Sequence, residues 1–201
     1  MKKLLVVVMS LFFTLNVNSQ SWSWAAAMGG RSNVEGSIGM DRDASGNIYV
    51  CGDFEGTRNF GGTSYTAVAF SDMFFSKYNS SGQHQWTLQF SGTGTNTMIA
   101  NGIATDASGN VFVTGYFSFN VTVGPNTYFN AGGNGDSFIA KYSPAGTLIW
   151  SRVISGTGNE FVSGIKTLGN DIYISGSFTQ AFTHGPVSLQ LLQEVMTMHS
   201  L

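Results

Sequence analysis

The sequence predicts an all-β protein, an incomplete β-propeller of about three four-stranded antiparallel blades. Three observations carry this expectation. The phrase "RDASGNIYVCG" at 42–52 returns as "TDASGNVFVTG" at 105–115 and, worn, as "KTLGNDIYISG" at 166–176; its closing glycines Gly52, Gly115 and Gly176 lie 63 and 61 residues apart. A tryptophan precedes a glycine by six residues three times, at Trp24, Trp86 and Trp150, with the tryptophans 62 and 64 apart. An aspartate opens an apolar stretch at Asp72 and again at Asp136, 64 residues on. Independent landmarks that share one period mark a single structural unit copied along the chain.

Each unit reads as two hairpins. In "GIATDASGNVFVTG", Ile103 and Ala104 lead in, Asp106 to Asn110 turn, and Val111 and Val113 alternate with Phe112 and Thr114. Asp and Ser side chains bond nearby backbone, and Gly109 tolerates the left-handed conformation the turn needs. In "DSFIAKYSPAGTLIWSRVI", Phe138 and Ala140 alternate with Ile139 and Lys141, Ser143 to Gly146 turn, and Leu148 and Trp150 alternate with Ile149 and Ser151. Between the hairpins runs a glycine-rich excursion, Ser118 to Gly135, with a short extra strand expected at Asn120 to Val123. Two consecutive hairpins make a four-stranded meander, and such sheets repeated at a long period are propeller blades. Solenoid coils are much shorter than about sixty residues. Each blade is apolar on both faces and must stack on neighbours.

These phrases, "DASGNVFVTG" and "DSFIAKYSPAGTLIW" with their copies one period earlier, resemble the bacterial SBBP β-propeller repeat. The resemblance covers nearly all of the chain after its first twenty residues. It implies a secreted or cell-surface protein, Bacteroidetes-like, of the kind built from many such blades. It implies no catalytic residues, because the shared positions are turn and core positions.

The N-terminus stands apart. Lys2 and Lys3 precede an almost wholly apolar run, Leu4 to Leu15, followed by a small polar exit. That pattern is a secretory signal peptide over 1–19, cleaved near Ser19 or Gln20, and the run is too short for a membrane span. Residues 20–201 are then the repeat region. Removing the two lysines takes the net charge from −2 to about −4, which argues against nucleic acid, since phosphate binding needs a basic stripe. Cys51 is the only cysteine, so no internal disulfide forms. It stands where Thr114 and Ser175 stand in the other copies, as a small strand residue.

The pattern breaks at both ends. "SWSWAAAMGG" matches the last strand of a blade without its first three. The third copy runs well through "GNDIYISGSF" and dissolves into "LLQEVMTMHSL"; an aspartate is due at 196 or 197, where Met196 and Thr197 stand. Reading Leu192 to His199 from the third base of each codon admits "AGGND", with a forced Asp straddling Met196 and Thr197. The expectation is a frameshifted, C-terminally truncated product of a longer propeller gene, against a genuine end with a diverged tail. Closed propellers have about 4–8 blades. An open stack is expected to expose apolar blade faces and self-associate through them.

Candidate chemistry is sparse. Asp41, Asp43 and Ser45 have the alternate-oxygen spacing of a calcium loop, but Gly52 stands where the bidentate glutamate belongs. A hairpin turn explains them better. Asp72 and Asp136, like Lys77 and Lys141, recur with the blade and read as structural. His84, His184 and His199 share no spacing that would suit zinc or a catalytic triad. Trp24, Trp86 and Trp150 are expected beside the next blade. Trp22, Tyr116, Phe119 and Tyr128 lie off the repeated tryptophan position or in excursions, which makes them the ligand candidates.

The sequence therefore points to a secreted, non-enzymatic binding or adhesion fragment with no cofactor, whose partner is a protein or a glycan. The alternatives it leaves open are a truncated propeller enzyme acting on polysaccharide and a nonfunctional gene remnant.

Overall fold

The structure is a computed structural model that describes residues 35–169, 171–178, 182–183, 189–192 and 195–199. The signal segment, Trp22 and Trp24 lie outside the described residues. Every described element is a β-strand.

The first sheet takes β1 (Glu35–Arg42), β2 (Ile48–Phe54), β5 (Asp72–Tyr78) and β6 (His84–Phe90), antiparallel in that order. A two-stranded ribbon, β3 (Thr57–Phe60) and β4 (Thr63–Thr66), is inserted between β2 and β5. The second sheet repeats the plan with β7 (Met98–Thr105), β8 (Val111–Phe117), β11 (Asp136–Tyr142) and β12 (Leu148–Gly156). Its ribbon is β9 (Asn120–Val123) with β10 (Asn126–Phe129), so the extra strand expected at Asn120 has a partner. The third sheet starts the same way, with β13 (Glu160–Leu168) and β14 (Asp171–Phe178). Each sheet takes its strands from one stretch of chain, whereas a solenoid sheet takes one strand from every coil.

The hairpin turns close as the residues require. Asp106 Oδ1 accepts from the backbone N–H groups of Ser108 and Asn110, and Gly109 N–H donates to Asp106 O. Gly109 sits at φ 77°, which a side chain would resist. Asp43 builds the same turn with Ser45 and Asn47, around Gly46 at φ 83°.

The sheets pack face to face, with their first strands adjacent. Alternation along β2 and β5 sends Tyr49, Cys51, Met73 and Phe75 towards the second sheet, where they meet Val113, Phe117, Phe138 and Tyr142. Ribbon β9–β10 contributes Val121 and Val123 to that seam, and Thr122 bridges to Ser91. The second seam joins Phe112, Ile139 and Ile154 to Val162, Ile165, Ile172 and Ile174. Among the inner strands, Asp41 Oδ2 accepts from the Thr105 N–H and hydroxyl, and the Thr167 hydroxyl donates to Thr105 O.

Two features depart from the sequence-based expectation. First, the outer face of the first sheet is not bare. Val50, Phe54 and Phe74 are buried because ribbon β3–β4 folds over them, with Phe60 stacked on Phe74 at 4.5 Å between ring centroids. Second, the last described segment does not dissolve. β15 (Phe182–Thr183) pairs with β12, and β16 (Leu189–Leu192) forms a hairpin with β17 (Val195–His199), which adds to β14. The third sheet thus runs β13-β14-β17-β16, its edge strand preceding its neighbour in the chain. Val195 faces Ser175 as Ile139 faces Thr114, so Met196 and Thr197 fall level with Ala140 and Lys141 rather than with Asp136.

Candidate binding surface

The ribbons project from one end of the sheets, the end where β2 and β8 finish and β5 and β11 begin. Here lie four large apolar side chains exposed to solvent: Val68 (66%) and Phe70 (61%) beside the first ribbon, Phe119 (57%) and Phe129 (63%) at the base of the second. Phe119 and Phe129 meet edge to face, with ring centroids 6.4 Å apart. The backbone fixes them: Asn130 N–H donates to Phe119 O, and the Asn96 side chain accepts from Phe119 N–H. Asn96 in turn donates to Asn120 O, so a buried amide rather than a loose loop sets the phenyl pair. An aromatic platform held by polar backbone contacts suits stacking against a sugar face or an apolar side chain.

Of the ligand candidates, only Phe119 is presented this way among the described residues. Tyr128 is tied down, its hydroxyl 2.7 Å from Ser151 Oγ. It is a repeated structural position, since Tyr65 bonds Thr87 O in the first sheet. Tyr116 donates to Asn134 O at 2.6 Å and packs on Phe161 in the second seam. Phe129 and Phe70 were not among the sequence candidates. The signal for Phe129 was present in the copies: Gly56 and Thr66 at the base of the first ribbon become Phe119 and Phe129 in the second.

The candidate calcium oxygens are turned to structural work. Asp43 accepts from Ser45, from Asn47 backbone and side chain, and from the Tyr49 hydroxyl at 3.0 Å. Burial would raise its carboxyl, but these donors outweigh it and hold it below the usual range. Asp41 reaches across to Thr105 instead. Among the described residues no group of three or more His, Cys, Asp or Glu side chains is placed to share a metal ion.

The other polar residues are structural too. Trp86 packs edge to face on Phe75 and lies against the next sheet's turn at Gly146. Lys77 donates to Pro144 O of that turn, and Lys141 pairs with Asp106 at 3.4 Å. Cys51 is fully buried, and burial pushes its thiol up to about 12. His84 bonds Thr87 and packs on Tyr78; burial lowers its imidazole from the ordinary value.

With this geometry in place, two similarities bear on the chain. The family model described as SBBP, beta-propeller repeat, matches residues 85–116. That window starts on β6 of the first sheet and ends on β8 of the second, so it spans the seam between them. The chain is also 26% identical over 189 aligned residues to an uncharacterized WD repeat-containing protein, L264, of Acanthamoeba polyphaga mimivirus. The match covers 77% of this chain and 13% of the length of that protein. Period, antiparallel meanders and this match together support a β-propeller repeat domain, with the SBBP repeat located at residues 85–116.

Proposed function

We propose that the chain is a secreted, non-enzymatic β-propeller repeat protein that binds a protein or glycan partner at a bacterial cell surface. The observation that carries this reading is the exposed Phe119–Phe129 pair at the base of the second ribbon. Its two positions are Gly and Thr in the first copy, so the pair is not part of the repeated core. Exposed aromatic side chains held rigid are the usual anchors of recognition surfaces. Export rests on the basic and apolar pattern of residues 1–19. The three sheets are read as consecutive blades of a larger ring. Met40 supports this: it is exposed where its counterparts Ile103 and Ile165 are buried against a neighbouring inner strand.

The test is a screen of the full chain against a glycan array and against extracellular matrix proteins, repeated with Phe119→Ser/Phe129→Ser. Binding by the parent that falls at least tenfold in the variant, with the melting temperature unchanged, supports the reading. A partner retained equally by both, or none on either panel, overturns it. Sedimentation tests the larger ring: association that weakens in Met40→Asp is expected, and a monomer at every concentration contradicts it.

A further inference from the structure

We propose that Asp136 and Glu160 form a binding site for one divalent cation of the calcium class, in the seam between the second and third sheets. The two residues open β11 and β13, and the backbone pins them side by side. Glu160 N–H donates to Gly135 O at 3.2 Å. Ser137 Oγ donates to Glu160 O at 2.8 Å and accepts from Val162 N–H at 3.0 Å. Both acids are fully buried. Asp136 Oδ2 accepts from Ala131 N–H, and the Glu160 carboxyl has the Gly156 N–H and Asp136 itself as neighbours; no other donor reaches Asp136 Oδ1 or either Glu160 carboxyl oxygen.

The first seam shows how unusual this is. There Asp72, the counterpart of Asp136, is satisfied by Val68 and Ala69 N–H groups and by the Gln89 amide. The counterpart of Glu160 is Met98, buried and apolar. In the second seam Val153 stands where Gln89 stood, which removes the donor, and Glu160 stands where Met98 stood, which adds a second carboxyl. Both changes fall on one spot: two buried carboxyls share backbone donors from Ala131 and Gly156, where the first seam gives its one carboxyl three donors.

Buried carboxylates short of donors cost several kcal/mol each unless a proton or a cation compensates them. One shared proton bridges the two carboxyls but leaves one negative charge buried. A divalent cation neutralises both charges and can draw on oxygens of both carboxyls, and calcium takes carboxylates in either one- or two-oxygen mode. With no cation bound, burial first, and then the contact with Asp136, push the Glu160 carboxyl up to about 7, so the pair resists full ionisation in the absence of a counter-charge.

The experiment uses the full chain after chelation, melted at about pH 7.5 with calcium chloride, magnesium chloride or neither, alongside calorimetric titration of calcium alone. The expected result is a calcium-dependent rise of several degrees at millimolar calcium, as for any ligand bound only by the folded state. Calorimetry should show one site per chain. Both signals should vanish in Glu160→Gln and in Glu160→Met; the latter installs the residue that the first seam already accommodates and so guards against a folding failure. A parent chain indifferent to calcium overturns the proposal, as does a calcium response that persists in both variants. A midpoint that rises on acidification from pH 7.5 to 5 without answering to calcium overturns it in favour of a shared proton.

Discussion

Ile103 rests on Gly39 of the neighbouring sheet: a Cβ on Gly39 would stand 3.2 Å from Ile103 Cγ2 and 3.0 Å from Cys51 Sγ. The next seam repeats the fit, with a Cβ on Gly102 standing 3.1 Å from Ile165 Cγ2. The inner strands approach closely because one supplies a glycine and the next a branched side chain. Gly39→Val is therefore expected to cost about 1–3 kcal/mol by overpacking, and Gly39→Ala less. Chemical denaturation checks this. Gly39→Ala should cost less in an Ile103→Ala background, since that change removes the Cγ2 methyl nearest the new carbon. Additive losses in the double variant would contradict the contact.

The Asp43 and Asp106 turns predict acid lability. In both, burial opposes ionisation, but donors outweigh it: Asn47, Tyr49 and Ser45 for Asp43, and Asn110 with Lys141 for Asp106. A carboxyl depressed in the folded state contributes stability above its unfolded value, and loses it as pH falls through the folded value. The midpoint should therefore be flat for these groups above about pH 5 and fall below about pH 4. Asp43→Asn with Asp106→Asn should be less stable at neutral pH and flatter in acid. A double variant with an unchanged acid profile would refute this assignment.

Cys51 should be a silent thiol. It is buried between the first and second sheets, and its raised value leaves almost no thiolate at pH 8. A disulfide reagent is expected to leave the native chain unmodified and to titrate one thiol per chain in denaturant. Prompt reaction of the native protein would mean that the first seam opens.

Tyr65 and Tyr128 should matter to stability rather than to binding. Each ties its ribbon to the fourth strand of its own sheet, through Thr87 O and Ser151 Oγ respectively. Loss of either hydroxyl by Tyr→Phe is expected to cost about 1 kcal/mol, with ligand binding unchanged. A binding loss without a stability loss would return Tyr128 to the ligand candidates.

The turns were legible because their determinants are local. Asp106, Ser108, Gly109 and Asn110 satisfy one another within five residues, and the same letters at Asp43 to Asn47 do the same. The strands around Val113 and Phe138 were legible because alternation reports which faces are buried. The ribbon partner of Asn120–Val123 was less so, as four-residue strands carry little periodicity. The hydroxyl contact of Tyr128 was not legible for a plainer reason: its partner Ser151 is 23 residues away, and its counterpart Tyr65 lies inside an excursion where the repeat is hard to align.

The sequence by itself determined the period, the two-hairpin unit, the turn chemistry and the apolar faces that must be covered, because each depends on residues a few positions apart. The tertiary structure alone decided what covers those faces. It laid the first ribbon over Phe74, built the third sheet's outer hairpin from Leu189–Leu192 and Val195–His199, and left Phe119 beside Phe129 in solvent. It also brought Asp136 and Glu160 together across a seam. Two carboxyls 24 positions apart in an unbroken chain carry no local signature; only the packing of one sheet on the next turns them into neighbours.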